Sequence, residues 1–65
     1  MPSTVIRRYD YDPERHRLHI EFVTGRRYVY ADVPKTEVEA MARARSKGGF
    51  FNRRIRDHYS FERER

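Results

Sequence analysis

The alternation of apolar and polar residues between Arg17 and Thr24 constrains the fold more than any other feature of this sequence. Every second side chain there is apolar, so one face of an extended chain carries Leu18, Ile20 and Phe22. The opposite face carries His19 and Glu21. Such a pattern is typical of an antiparallel strand with one buried face and one face in water. We therefore predict a half-buried strand over residues 17–24.

A first strand precedes it over residues 4–12, which are rich in β-branched and aromatic side chains. Tyr9 and Tyr11 fall on one face of that strand, but Ile6 is out of phase with them. A β-bulge inserts one extra residue and resets the phase of a strand. We therefore predict a bulge near Arg7–Arg8, which turns all three large side chains toward the core.

A third strand follows over residues 27–32, after a tight connection in which Gly25 is free to adopt positive φ. The alternation in this strand places Tyr28 and Tyr30 on the core face and Val29 on the other face. Three strands with short links form an antiparallel meander, which needs a cover on its apolar face.

Helical spacing begins after the third strand. Pro34 suits the first turn of a helix, and Thr36 with Glu39 has the spacing of a capping box, in which two side chains bond free backbone amides. One apolar stripe of this helix is predicted to face the sheet: Val38, Met41 and Ala42. The side chains predicted to face water are those of Glu37, Glu39 and Arg43.

A second helix is predicted over residues 50–58. The two glycines before it, Gly48 and Gly49, each cost about 1 kcal/mol inside a helix, so they favour a corner between the helices. Apolar residues then recur at every fourth position: Phe51, Ile55 and Tyr59. This spacing forms a stripe that can dock on the sheet.

These elements predict an α+β fold, a three-stranded antiparallel β-meander followed by two short helices on one face of the sheet. The 65 residues leave room for a single domain over 1–65. Residues 62–65 have no apolar side chain and are predicted to form a flexible tail. Cysteine is absent, and neither a signal peptide nor a membrane span is recognisable, so we expect a soluble cytoplasmic protein.

Charge divides the chain into two parts. Residues 1–42 hold seven Lys and Arg against seven Asp and Glu, whereas residues 43–65 hold eight against three, so the second part carries the net charge of +5. A basic surface favours polyanions such as nucleic acid. Six side chains form the candidate nucleic-acid site: Arg43, Arg45, Lys47, Arg53, Arg54 and Arg56.

The arginines of the second helix are predicted to lie along the two edges of the apolar stripe, where they form two rims. Arg53 and Arg56 flank one edge of the stripe, and Arg54 lies at the other. Two rims suit phosphate contacts, which are largely independent of base sequence, better than they suit insertion of one helix face into a groove. The alternative is a solvated surface that Asp57 and the glutamates of the tail partly neutralise.

The spacing of the histidines and serines gives little support for a metal site or a catalytic site. His16 and His19 are three positions apart across a turn-to-strand boundary, where an odd separation places side chains on opposite faces, and His58 is distant in sequence. Ser60 lies near His58 only at the end of the chain, which cannot hold the geometry of a catalytic triad. We therefore predict no metal, no cofactor and no enzymatic activity.

The glycine pair also lacks the order of a phosphate-binding P-loop. A weaker anion site stays open as a hypothesis, in which free amides at the start of the second helix lie beside Arg45 and Lys47. The competing interpretation is an ordinary corner that Ser46 caps.

The sequence resembles the KTSC domain, a short bacterial and phage module that also occurs at the C-terminus of some lysyl-tRNA synthetases. The resemblance covers residues 3–63. In the strands the matching residues are Tyr11, Asp12, Leu18, Ile20, Phe22, Gly25, Tyr28 and Tyr30. Further along they are Val33, Pro34, Ala44, Ser46, Gly48, Phe50, Phe51, Asn52, Ile55 and Arg56. The sequence departs from the family pattern at Phe50, where tyrosine is more usual, and at Asp10, where glycine often precedes the Tyr-Asp pair.

The resemblance implies an RNA-binding domain without assigned catalytic residues. Most matching positions also have a structural explanation as core, but Ser46 and Asn52 are polar and either cap a helix or touch a ligand. We therefore predict a small binding module for RNA or another nucleic acid. The alternative is a protein-interaction or homodimerisation module that uses the open edge of the sheet. No membrane partner is expected.

Overall fold

The computed structural model describes residues 6–64, which form one four-stranded antiparallel sheet and two helices. The strands lie side by side in chain order as β1 (Ile6–Asp12), β2 (Arg17–Phe22), β3 (Arg27–Tyr30) and β4 (Phe61–Glu64). The helices α1 (Lys35–Arg43) and α2 (Lys47–Arg54) come between β3 and β4 in the chain. The predicted α+β class is confirmed, and the predicted three-stranded sheet is corrected to four strands. Neither helix among these residues is long and apolar enough to cross a membrane.

The predicted bulge in β1 is confirmed. Ile6 pairs with Phe22 and Arg8 pairs with Glu21, so Arg7 is an extra residue between two neighbouring pairs. The shift brings three large side chains of β1, which alternation alone could not align, against the core: Ile6, Tyr9 and Tyr11. The predicted start of this strand at Thr4 lies outside the described residues.

The core lies between the sheet and the helices. Its buried members form one cluster: Leu18, Ile20, Tyr30, Val33, Met41, Phe50, Phe51 and Ile55. At the centre, the ring of Phe51 packs edge-on against Tyr30 at 5.2 Å and against Phe22 at 5.4 Å between centroids. Since edge-to-face contacts add to the burial of large rings, Phe51 joins α2 to the sheet.

The capping box predicted for α1 is wrong. The helix begins at Lys35 with Pro34 as its N-cap, and no side chain caps it. Thr36 and Glu39 therefore lie inside the helix, where they cannot bond the first free amides. The backbone carbonyl of Pro34 accepts from the amide of Glu37 at 3.0 Å instead, because the fixed φ of proline, here −71°, suits this position.

The side of α1 that faces the core also differs from the predicted one. Met41 is buried and Val38 packs against the core, but Ala42 is exposed and Ala40 packs inward in its place. Glu37, predicted to face water, has only 17% of its side chain exposed. The difference follows from an inward Glu37, which finds an arginine partner on α2.

The second helix begins three residues earlier than predicted and ends at Arg54. Gly48 and Gly49 lie in its first turn and do not form the corner, since Ser46 is the N-cap and its Oγ accepts from the amide of Gly49 at 3.1 Å. A Cβ on Gly49 would lie 3.1 Å from that Oγ, which is close enough to disturb the cap. The cap compensates for the low helix propensity of glycine, and the predicted capping role of Ser46 is confirmed.

The prediction of a flexible tail is wrong for Glu62–Glu64, and Arg65 lies outside the described residues. The segment pairs with β3 as an edge strand, with Phe61 opposite Tyr30, Arg63 opposite Tyr28 and Glu64 opposite Arg27. Its lack of apolar residues did not exclude a strand, because pairing satisfies backbone groups that β3 would otherwise leave open. Charged residues are also common on edge strands, where they discourage pairing between molecules.

Candidate nucleic-acid interface

The six predicted basic residues are all exposed in the helical layer of the molecule. Arg43 is the last residue of α1, Arg45 lies in the connection, and Lys47 is the first residue of α2. Three positive charges therefore lie within five positions of the chain, where it turns from one helix into the other.

Arg53 extends back toward the same turn. Its Nη1 lies 3.5 Å from the place that a Cβ on Gly49 would occupy, so the guanidinium lies over the first turn of α2. We name the four residues around this turn the corner cluster: Arg43, Arg45, Lys47 and Arg53. Within residues 6–64, none of the four side chains takes part in an ion pair or a side-chain hydrogen bond.

Arg54, in contrast, is held against α1. Its Nη2 donates to Oε2 of Glu37 at 3.3 Å, and its guanidinium carbon lies 5.5 Å from the centroid of the Phe50 ring. Burial raises the pKa of the Tyr59 hydroxyl, and the negative charge of Glu37 raises it further. Oε1 of Glu37 is buried with no hydrogen-bond partner among the described residues. Arg54 therefore links the two helices and is less available to a ligand.

Arg56 is also engaged within the chain. Its Nη1 donates to Oδ1 of Asn52 at 3.0 Å, so Asn52 orients an arginine beyond the end of α2. Burial and the neighbouring Tyr28 raise the pKa of Tyr30 to about 12, while the positive charge of Arg56 opposes the shift. The Asn52 side chain therefore already holds Arg56.

The charged side chains on the open face of the sheet are arranged differently from those of the corner cluster. Register places four residues of alternating sign in one row across the strands: Arg8, Glu21, Arg27 and Glu64. The Nε of Arg8 donates to Glu21 at 3.0 Å, and Arg7 adds a second contact at 3.4 Å. The hydrogen bond from Arg8 holds the pKa of Glu21 below its usual value. Two cations of this face therefore share one acidic partner, Glu21.

Phe61 is a candidate residue that the sequence analysis missed. It is 52% exposed, and its pairing with Tyr30 places it on the face of the sheet that α2 covers. Its ring centroid lies 5.5 Å from that of Tyr28 and 5.3 Å from that of Tyr30. The signal in the sequence was the alternation of residues 61–64. In a strand, this alternation places Phe61 and Arg63 on one face and the two glutamates on the other.

No group of three or more His, Cys, Asp or Glu side chains able to hold a metal ion lies among the residues that the structure describes. His16 lies in the turn after β1, whereas His19 faces the open side of the sheet between Asp10 and Val29.

Comparison with known proteins places this geometry in a family. The sequence profile of the KTSC domain matches residues 2–59. A protein from Stutzerimonas stutzeri is 38% identical over 64 residues, which cover 97% of this chain and 90% of the relative. A lysine–tRNA ligase from Nostoc punctiforme is 37% identical over 60 residues, or 92% of this chain.

The match spans only 11% of that ligase, so the chain is similar to one small part of the enzyme. The crystal structure of a KTSC domain protein from Yersinia pestis superposes with a TM-score of 0.88 at 30% identity, covering 100% of this chain and 92% of the other. The sequence profile and the solved structure agree, and the chain belongs to the KTSC domain family.

Proposed function

We propose that this protein is a cytoplasmic, non-enzymatic module that binds RNA through phosphate contacts from the corner cluster. The observation that carries the proposal is the separation of charge. On the sheet face Arg7 and Arg8 pair with Glu21 and Arg27 lies in register between two glutamates, whereas the four cations at the helix corner take part in no ion pair within residues 6–64. Unpaired cations are the side chains that a polyanion engages without first breaking an ion pair.

The choice of RNA among polyanions is supported by the relatives. One matched protein is named a lysine–tRNA ligase, and this chain is similar to one part of it. The absence of cysteine fits a reducing compartment such as the cytoplasm. Arg54 and Arg56, predicted as phosphate contacts, are assigned a smaller role because Glu37 and Asn52 already hold them.

The salt dependence of binding tests this proposal. If the four side chains of the corner cluster each neutralise one phosphate of a single strand, a plot of log K against log[salt] should have a slope of about −3. We expect the double variant Arg45→Gln/Lys47→Gln to bind more weakly and to reduce the magnitude of that slope by about 1 to 1.5. Fluorescence anisotropy with a labelled RNA, over a series of salt concentrations, measures both quantities.

A matched control removes the same charge elsewhere. Arg15 and Arg26 are exposed in the two connections of the meander, so Arg15→Gln/Arg26→Gln lowers the net charge equally outside the corner cluster. The control should keep the slope of the unmodified protein. Equal losses in both double variants, or no binding of RNA at low salt, would show that the corner cluster is not the site.

The second candidate function is homodimerisation through an open sheet edge, and β1 is the edge that favours it. Antiparallel pairing of two copies centred on Tyr9 sets Arg8 of one copy opposite Asp10 of the other, on the same face. The β4 edge disfavours self-pairing, since antiparallel pairing that preserves the faces sets Glu62 or Glu64 opposite a glutamate. Sedimentation equilibrium over a concentration series should show a dimer that Asp10→Lys weakens, and a constant monomer mass excludes this candidate.

A further inference from the structure

The exposed ring of Phe61 belongs to a rigid group of aromatic side chains. The centroids of Tyr28 and Tyr30 lie 6.4 Å apart with an interplanar angle of 24°, and Phe61 contacts both rings. Tyr30 in turn packs against the buried ring of Phe51. We name Phe61, Tyr28 and Tyr30 the aromatic platform. Its outer member is half in water, and its inner member is fixed in the core.

The alternation of β4 places its arginine and its glutamates on opposite faces of the sheet. Arg63 lies opposite Tyr28, so it shares the platform face, while Glu62 and Glu64 lie opposite Val29 and Arg27 on the other face. The platform therefore combines a flat exposed ring with one arginine, Arg63, on the same face.

We propose that the aromatic platform stacks on an unpaired base of RNA, with Arg63 contacting an adjacent phosphate. The proposal rests on the proposed function and adds the kind of RNA that is bound, a single-stranded segment. The face of a base is open to a protein ring only when the base is unstacked, as in loops and single strands. Every base has such a face, so stacking on Phe61 would tolerate many sequences.

Alternative roles explain the arrangement less well. An isolated exposed phenylalanine is common on protein surfaces and needs no function by itself. Here the ring is supported from behind by two tyrosines, and both glutamates of its strand point away from it. A partner with an acidic and aromatic character fits that surface, and a base with its phosphate has both properties.

A tryptophan at position 61 provides a direct reporter. The chain contains no tryptophan, so Phe61→Trp introduces a single fluorophore at the proposed stacking position. We expect its emission to be quenched on titration with a single-stranded oligouridine and to change little with an RNA duplex of equal length. Val23→Trp is the matched control, because Val23 is 46% exposed in the turn after β2, at the other end of β3 from Phe61. Its emission should not respond to either RNA.

Affinity measurements complete the test. Phe61→Ala should weaken binding of the single strand by about 5- to 100-fold, and Phe61→Tyr, which keeps a flat ring, should bind as the unmodified protein does. Phe61→Leu keeps apolar bulk without an aromatic face, so it separates stacking from folding if the alanine variant unfolds. Circular dichroism melting verifies that each variant is folded.

The outcomes distinguish the two proposals. If Phe61→Leu and Phe61→Ala are folded and bind like the unmodified protein, or duplex binds as tightly as single strand, the stacking inference is wrong. The phosphate-binding function then still stands as long as Arg45→Gln/Lys47→Gln weakens binding. If the unmodified protein binds neither RNA at low salt, both proposals fail.

Discussion

The open face of the sheet and the helical corner carry similar side chains but arrange their charges in opposite ways. On the sheet, arginine and glutamate alternate across four strands, and Glu21 accepts from both Arg7 and Arg8. At the corner, four basic residues meet with no acidic partner among the described residues. The difference shows that a charged surface by itself says little about function, since one face carries charges of both signs in register and the other carries four cations without an ion pair among the described residues.

Weakening the contact between the helices and the sheet should produce the largest change in stability. Phe51 is 1% exposed and contacts rings on both β2 and β3, so Phe51→Ala leaves a cavity at the joint between helices and sheet. We expect a loss of about 3–5 kcal/mol in the free energy of unfolding, which is a large part of the stability of so small a domain. Urea denaturation followed by circular dichroism measures it. A loss below about 1 kcal/mol would mean that other residues hold the layers together.

The N-cap of α2 should have an intermediate effect. Ser46→Ala removes the oxygen that accepts from the amide of Gly49, so we expect a loss of about 1 kcal/mol in unfolding free energy. Ser60→Ala is the control, since the exposed Ser60 bonds Ala31 through its backbone carbonyl and not through its side chain. Equal losses in the two variants would contradict the capping role.

The smallest expected effect lies on the sheet face and depends on pH. The pKa of Glu21 is lowered in the folded protein, chiefly by the hydrogen bond from Arg8. The stabilisation is therefore complete above the pKa of this carboxyl in the unfolded chain, about 4.5, and is lost as pH falls through its lower folded pKa. Glu21→Gln should slightly flatten the acid dependence of the urea midpoint, because exposed ion pairs contribute little to stability.

An acid dependence that is unchanged in Glu21→Gln would show that the pairs with Arg7 and Arg8 do not neutralise this face. The difference between the sheet face and the corner cluster would then consist only in where their charged side chains lie. Arg15→Gln serves as the comparison here, since this exposed side chain makes no ion pair among residues 6–64.

Elements with a clear periodicity were predictable from the sequence. The alternation of Leu18, Ile20 and Phe22 indicated the central strand, and the phase error at Ile6 indicated the bulge. Prediction failed where a local propensity opposed a tertiary or capping interaction. Gly48 and Gly49 were assigned to a corner because glycine disfavours helices, but the Ser46 cap accommodates them in a first turn.

The exposure of the candidate site residues was predictable from the sequence, but their arrangement was not. All six basic residues are exposed, as the charge pattern indicated. Helical spacing placed Arg53 and Arg56 on one rim, yet it could not show that Arg53 reaches back toward Gly49 while Arg56 bonds Asn52. Partners such as Glu37 for Arg54 are 17 positions away, and spacing along one helix does not reveal them.

The sequence by itself determined the fold class, the inward face of each central strand, the position of the bulge and the concentration of positive charge after residue 42. These properties follow from local periodicity and composition, which no long-range contact alters. Only the tertiary structure decided that residues 61–64 form a strand, because that strand depends on the free edge of β3 and has little apolar burial of its own. The same pairing brings Phe61 beside two tyrosines of β3, 31 and 33 positions away, and separates Arg63 from its neighbouring glutamates.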